Sequence, residues 1–315
     1  MKKNAENTAV GVVKDVTNNS PKSRRAIKTT AVVLAAALLL ASLGLNAYYL
    51  FFRTESYLQD PSEIYIMESG ILRNNLEFAE GEELAVSYDF DNEEYPLLLE
   101  QYDIAEIAGE GSEFERACRL MHEFAPRLRH LSNYDNHVDM NAIALLDYSL
   151  DRPDHGINCR SKAQILNEMC LALGIYSRKV WINPYSAYDS DCHVVNEVWD
   201  TSLGKWVMLD ITNDQYWIDE NGTPLSLIEI RTKGAGQEFC TPIVPGEEHR
   251  SPEALRKAHA DDFLYIMKNM VFFYWCDAQT VGETDTYYML FPENTPTNHQ
   301  PLISERCFVR SPVGA

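Results

Sequence analysis

Cys159, His193 and Asp210 follow one another along the chain, each in a setting that could activate it. A thiol attacks as the thiolate, and it needs a base in reach plus a third group to orient that base. Cys159 follows Gly156-Ile157-Asn158 and heads a run in which Ala163, Leu166, Cys170 and Leu173 recur at helical spacing, widened by Ile165, Met169 and Leu171. Gly174, just past the last turn, reads as the left-handed closing residue. Asn158 occupies the N-cap position, so Cys159 falls in the first turn. Unpaired amides and the positive dipole end there favour a thiolate over a thiol. On this element alone, the lesser alternative is a small buried hydrophobe near a helix end.

Cys192 to Asp200 and Trp206 to Ile211 are rich in Val and Trp and read as strands. The intervening Thr201 to Lys205 has turn composition, which makes the pair a hairpin. With the hairpin centred near Thr201 and Ser202, His193 and Asp210 fall opposite or diagonal to each other on one face. Directly opposed side chains approach to about 5 Å between Cβ atoms. A carboxylate at that range can fix an imidazole's tautomer and stabilise the imidazolium. An ordinary cross-strand polar pair would share this spacing. What sets the pair apart is the cysteine at a helix start 34 residues before His193.

Several patterns now coincide: the Gly-x-x-Cys helix start, the Leu-Gly-Ile-x-x-Arg run at Leu173 to Arg178, the His-x-x-x-Glu-x-Trp strand from His193, and the Trp-Val-x-Leu-Asp strand ending at Asp210. Together, over roughly Glu113 to Arg231, they resemble the transglutaminase-like core of the papain-like thiol enzymes. The resemblance implies an α+β fold, with the Cys-bearing helix packed on an antiparallel sheet that carries the other two residues. It implies Cys159 as nucleophile, His193 as its base and Asp210 as the orienting group, acting on peptide or isopeptide amide bonds through a thioester. Water resolving the thioester makes a peptidase or amidase; an amine makes a transglutaminase. Val194 departs from the pattern, since many relatives have a small residue and then an aromatic there. The family also holds members without catalysis, so the alternative is a weak or inactive binding or assembly module at the cell surface. The oxyanion would meet the Cys159 amide and a second donor, with Asn158, Asn136 and Tyr134 as candidates.

Ahead of these elements, Ala31 to Phe52 is 22 residues without a charge. As a helix it reaches roughly 33 Å, enough for the hydrocarbon core of a bilayer. Lys22, Arg24, Arg25 and Lys28 precede it, and Tyr48, Tyr49, Phe51 and Phe52 close it. The positive-inside bias puts the N-terminus in the cytoplasm and the rest outside, as a single-pass membrane protein. A cleaved signal peptide, with Leu45-Asn46-Ala47 at its end, is the competitor. The expected divisions are a polar, disordered cytoplasmic tail (1–28), a transmembrane signal anchor (29–53), an extracytoplasmic wrap or stalk (54–104), the transglutaminase-like core (105–235) and a C-terminal α+β extension (236–315).

The net charge of −20 argues against nucleic acid as a partner and against an anionic membrane surface. The expected partners are the membrane, through the N-terminal helix, and a protein or peptide substrate outside it; the sequence is silent on oligomeric state. Setting Cys159 aside, six cysteines remain, which permits disulfides without requiring them. His122, His130, His137 and His155 lack metal-ligand spacing, so neither metal nor cofactor is expected.

Ser112 with Glu115 predicts a capping box for a helix facing inward through Phe114, Ala117, Met121 and Phe124. A second helix is expected at about Met140 to Leu150, a strand at Tyr176 to Asn183, and a short helix capped by Ser226. Ile64 to Met67 and Leu84 to Tyr88 read as strand fragments, and Arg231 to Arg250 as a Gly- and Pro-punctuated loop. Ser251 opens a helix to about Lys268, followed by strands at Val271 to Cys276, Thr286 to Phe291 and Arg306 to Val309, whose aromatics read as core.

Overall fold

The structure, a computed structural model of the chain, describes residues 21–49, 66–186, 188–238, 240–284, 286–293 and 301–313. The chain divides between Tyr57 and Leu58 into two units. The first carries helix α1 (Pro21–Tyr48). Its stretch Lys28–Tyr48 has a mean hydropathy of 2.0 and is unburied by protein. By length and composition it can cross a bilayer, as a signal sequence also can. Helix α1 begins at Pro21, so the basic stretch expected to be disordered is helical from there on. Proline suits a first helical turn, and Lys and Arg propagate a helix well. Residues 1–20, Phe51, Phe52 and the expected strand start at Ile64 lie outside the described residues.

The second unit opens with α2 (Ile66–Asn74), β1 (Ser87–Tyr88), α3 (Tyr95–Gln101), α4 (Ile104–Ala108), α5 (Glu113–Phe124) and α6 (Ala142–Asp151). There follow α7 (Cys159–Ala172), β2 (Ser177–Asn183), β3 (His193–Asp200), β4 (Lys205–Leu209), β5 (Tyr216–Ile218) and α8 (Leu227–Ala235). The chain continues through β6 (Thr241–Ile243), α9 (Pro252–Ala258), α10 (Ala260–Lys268), β7 (Phe272–Cys276), β8 (Ala278–Gln279), β9 (Tyr287–Leu290) and α11 (Glu305–Val309).

Five strands make an antiparallel sheet in the order β4-β3-β2-β7-β9. The chain is α+β, with α7 against β3 and β2. Buried residues fall into two clusters. One holds Ile165, Leu166 and Met169 of α7 with Val198, Val207 and Leu209 of the sheet. The other holds Val180, Val195 and Met208 with Phe273, Trp275 and Phe308. Side-chain alternation along β3 and β4 divides them in this way. The C-terminal residues complete this sheet through β7 and β9, and residues 66–104 lie on the body. Leu72 is fully buried, Arg73 Nε donates to the Ala235 carbonyl at 3.2 Å, and β1 pairs with β8.

The Leu-Gly-Ile-x-x-Arg and His-x-x-x-Glu-x-Trp patterns meet across β2 and β3. Arg178 pairs in register with Glu197, and its Nη2 lies 2.5 Å from Glu197 Oε2. The guanidinium sits between the rings of Trp206 and Phe308, and Glu197 Oε1 accepts the Leu227 amide at the start of α8. A fully buried charge pair needs such added partners to offset its lost hydration.

Several elements depart from expectation. Met67 belongs to helix α2 rather than a strand. Arg231 to Arg250 is not all loop: α8 runs to Ala235, and β6 pairs with β5, placing Pro242 opposite Trp217. The helix from Ser251 breaks at His259, whose backbone leaves helical geometry and whose ring bridges Asp262 and Glu247 at 2.8 Å each. Arg306 to Val309 is helical, not a strand. Ser304 caps it by accepting the Cys307 amide, and the neighbours Cys307 and Phe308 are both buried, which a one-sided strand does not allow.

Candidate active site

Asn158 sets the position of the thiol. Its Oδ1 accepts the Ser161 amide at 3.0 Å, which caps α7 and puts Cys159 in the first helical position. The chain reaches this point beside the segment 129–131: Leu131 N donates to Ile157 O, and Ile157 N to Arg129 O, both at 3.0 Å. The glycine of the Gly-x-x-Cys pattern has a steric reason. A Cβ on Gly156 would lie 2.7 Å from Leu131 Cβ. At its far end α7 closes as the pattern predicts, with Gly174 at φ +71° and Ile175 N donating to Cys170 O.

His193 is the first residue of β3 and Asp210 follows the last residue of β4. The hairpin pairs Asn196 with Leu209, so the turn centres between Ser202 and Leu203, one residue beyond the expected position. Continuing that register sets Asp210 against Val195 and diagonal to His193. His193 Nε2 lies 2.9 Å from Asp210 Oδ2, and both residues are buried. The ring and the Cys159 side chain act on each other: His193 lowers the thiol's pKa, and Cys159 raises that of the ring. With Nε2 on the carboxylate, Nδ1 is the nitrogen left for sulfur. The structure therefore brings the three residues together, His193 hydrogen-bonded to Asp210 and the thiol within electrostatic reach of the ring.

Asp210 is anchored on all sides. Its Oδ1 accepts the Thr212 and Asn213 amides at 3.0 and 3.3 Å, and its Oδ2 accepts Asn213 Nδ2 at 2.8 Å. Burial alone would raise its pKa, but the charge and hydrogen bond of His193, with Asn213, hold it below the usual carboxylate value. Burial would likewise depress His193, yet Asp210 and then Cys159 raise it to about 10. For Cys159, burial opposes ionisation, but the hydrogen bond and charge of His193 and the Val194 amide lower its pKa. These directions favour thiolate and imidazolium together near neutral pH.

Sequence reasoning passed over several participants. The Tyr265 ring packs edge-on to His193 with centroids 5.6 Å apart, and its hydroxyl donates to Asp191. Lys268 Nζ lies 3.0 Å from both Asp189 and Asp191, fastening the segment that leads into β3. Glu283 binds the guanidinium of Arg160, next to the nucleophile, and lies 3.1 Å from Lys179 Nζ. Asn213 was the most accessible of these, since Asp-x-x-Asn is a turn pattern in which the first side chain binds later amides. The contacts of Tyr265 and Glu283 are tertiary and leave no local signal.

Of the oxyanion candidates, Asn158 donates its Nδ2 to Asn136 Oδ1 at 3.2 Å besides capping α7, and the Tyr134 hydroxyl accepts the Val138 amide at 3.4 Å. Asn136 sits at φ +54°. The described cysteines are all free, and Cys192 is exposed just ahead of β3 instead of beginning it.

A second line of the same residue types throws the first into relief. Cys118 Sγ lies 3.2 Å from His122 Nε2, and His122 Nδ1 lies 2.6 Å from Asp214 Oδ1. Cys118 sits in the body of α5, where amide donors already serve the helix. Burial and then the Asp214 charge push its pKa up to about 12. Cys170, buried mid-helix in α7, is likewise pushed up to about 12 by burial.

No curated protein sequence matches the chain. The solved structure of a protein from Cytophaga hutchinsonii, described as a "Putative Cysteine Protease", is similar over 46% of this chain and 43% of that one. The identity is 16% and the TM-score 0.29, and this chain spans under half of that protein's length. A family model described as "Transglutaminase-like superfamily" matches residues 104–211, the interval that contains Cys159, His193 and Asp210. Residues 104–211 are a transglutaminase-like superfamily domain.

Proposed function

We propose that the protein is a membrane-anchored thiol enzyme that cleaves or transfers acyl groups at peptide or isopeptide amides outside the cytoplasmic membrane. The observation that carries this reading is the hydrogen bond between Asp210 and His193, with the Cys159 thiol in electrostatic reach of that ring at the head of α7. The Cys159 thiolate attacks the amide carbonyl, and the His193 imidazolium gives its proton to the departing amine. A thioester remains on Cys159. Water, deprotonated by His193, then releases an acid, or a primary amine takes the acyl group. The Cys159 amide belongs to the unpaired first turn of α7 and can donate to the oxyanion. Asp210 stays ionised and holds the ring. The exposed apolar stretch Lys28–Tyr48 supports the anchor, and the basic residues before it support an inward N-terminus.

The test is to incubate the purified domain with amide-bearing peptides, with and without a small primary amine, and to follow peptide masses. Hydrolysis or amine incorporation that Cys159→Ala abolishes is expected. Catalysis that persists in Cys159→Ala would move the nucleophile elsewhere, and no thioester or turnover on the wild-type protein with any peptide would favour a binding or assembly module instead.

A further inference from the structure

One turn beyond the thiol, on the same side of α7, lies Lys162. Residues three apart on a helix are surface neighbours. Lys162 is only 2% exposed, and no carboxylate lies within ion-pair distance of its ammonium among the described residues. Its stem is buried, while the ammonium, without a hydrogen-bonded protein partner, keeps an edge on solvent. The charged groups around it are Cys159 on its own helix and Asp210 and Asp214 from the loop after β4. Asp214 is held by His122. His130, from the segment beside the start of α7, also feels it: burial, followed by the charges of Lys162 and His193, lowers the His130 pKa. Burial lowers Lys162 itself to about 8, against the pull of Asp210, Cys159 and Asp214, so it remains an ammonium at neutral pH.

We infer that Lys162 is a positioning residue of this site, a cation with a buried stem that balances the Asp210 carboxylate and the Cys159 thiolate without pairing with either. The Cys159–His193–Asp210 line carries two negative charges and one positive when its thiol is ionised. A second positive charge makes the buried group neutral, which matters because an unbalanced charge in a low-dielectric interior is costly. Direct pairing with Asp210 would compete with His193 for the same oxygen. One helical turn from Cys159 and not ion-paired with Asp210, Lys162 supports ionisation and leaves the hydrogen bond from Asp210 to His193 intact. The inference rests on the reading of Cys159 as an activated thiol.

The experiment measures alkylation of Cys159 by iodoacetamide against pH, with peptide mass mapping, in a Cys192→Ser background that removes the exposed thiol. Lys162→Met should raise the pH midpoint by about one unit, which makes labelling about tenfold slower on the acid side. Lys162→Arg should keep the wild-type midpoint. A merely structural lysine would change stability without moving that midpoint. If Lys162→Met does not fold, Lys162→Gln supplies the uncharged comparison. An unchanged midpoint in a folded, uncharged variant, beside a low wild-type midpoint, overturns the inference and leaves the nucleophile in place. A wild-type Cys159 that titrates like an ordinary thiol overturns the reading of the site, and this inference with it.

Discussion

Replacing Asp210 by Asn changes one atom and removes one charge, and the geometry around the carboxylate dictates how the new amide must sit. Oδ1 accepts two backbone amides, from Thr212 and Asn213, and only an oxygen can stay there. The new Nδ2 is therefore turned toward His193 Nε2, which lies 2.9 Å from that position in the wild type. A neutral ring must then accept at Nε2 and carry its proton on Nδ1, the nitrogen that faces sulfur. It can no longer take the thiol proton. Asn213, which donates Nδ2 to the same oxygen, would meet a second donor and must flip. The lost charge acts in the same direction. Imidazolium and carboxylate centres about 4 Å apart at an effective dielectric near 20 attract by about 4 kcal/mol, or about three powers of ten. Relaxation and water entry reduce this, so alkylation of Cys159 at pH 7 should slow by about 10²- to 10³-fold. The assay is the rate of iodoacetamide labelling, with near-ultraviolet circular dichroism to show a retained fold. A folded Asp210→Asn protein that labels within about threefold of wild type would refute the reasoning from tautomer and charge.

The same geometry yields other outcomes. Cys170→Ala should keep full labelling of Cys159, because the buried Cys170 thiol stays protonated, as mass mapping of the modified peptides would show. Gly156→Ala, which drives a Cβ into Leu131, should cost about 1–3 kcal/mol in urea unfolding and slow Cys159 labelling by shifting the start of α7. Arg178→Met should cost about 3–5 kcal/mol in the same measurement, because it strands the fully buried Glu197. The folded pKa of His193 lies above its ordinary 6.5, so its contribution to stability is complete below pH 6.5 and declines as pH rises toward about 10. The Tm gap between wild type and His193→Gln should therefore narrow from pH 6 to pH 10. Protease added outside intact cells should degrade the domain after α1 and spare the first 28 residues; a domain found in the cytoplasm would contradict the anchored topology.

The features legible in the sequence were those written in local patterns. Asn158 as cap, Cys159 in the first turn, Gly174 as the left-handed stop and the capping boxes at Ser112 and Ser226 all depend on residues within a few positions of one another. The hairpin's turn was legible to within one residue, a two-residue shift in pairing that preserves parity, so His193 and Asp210 share one face either way. What stayed hidden depends on distance along the chain. Glu283 meets Arg160 across 123 residues, and Tyr265 covers His193 from a helix whose break at His259 comes from side-chain contacts, not composition. Helix α11 reads as a strand because Cys, Phe and Val favour strands, yet both Cys307 and Phe308 must be buried. Arg178 and Glu197 belong to the patterns that carry the family resemblance, but their place is in the core rather than at the thiol.

The central claim is that His193 activates Cys159, and one measurement tests it most directly. A thiol-directed electrophile at pH 7, followed by peptide mass mapping, compares the Cys192→Ser protein with the same protein carrying His193→Ala. If His193 activates the thiol, Cys159 is the fast cysteine in the first protein, and its labelling falls by about 10² or more in the second. A Cys159 that reacts at the rate of an ordinary exposed thiol, unchanged by the loss of His193, would contradict the claim.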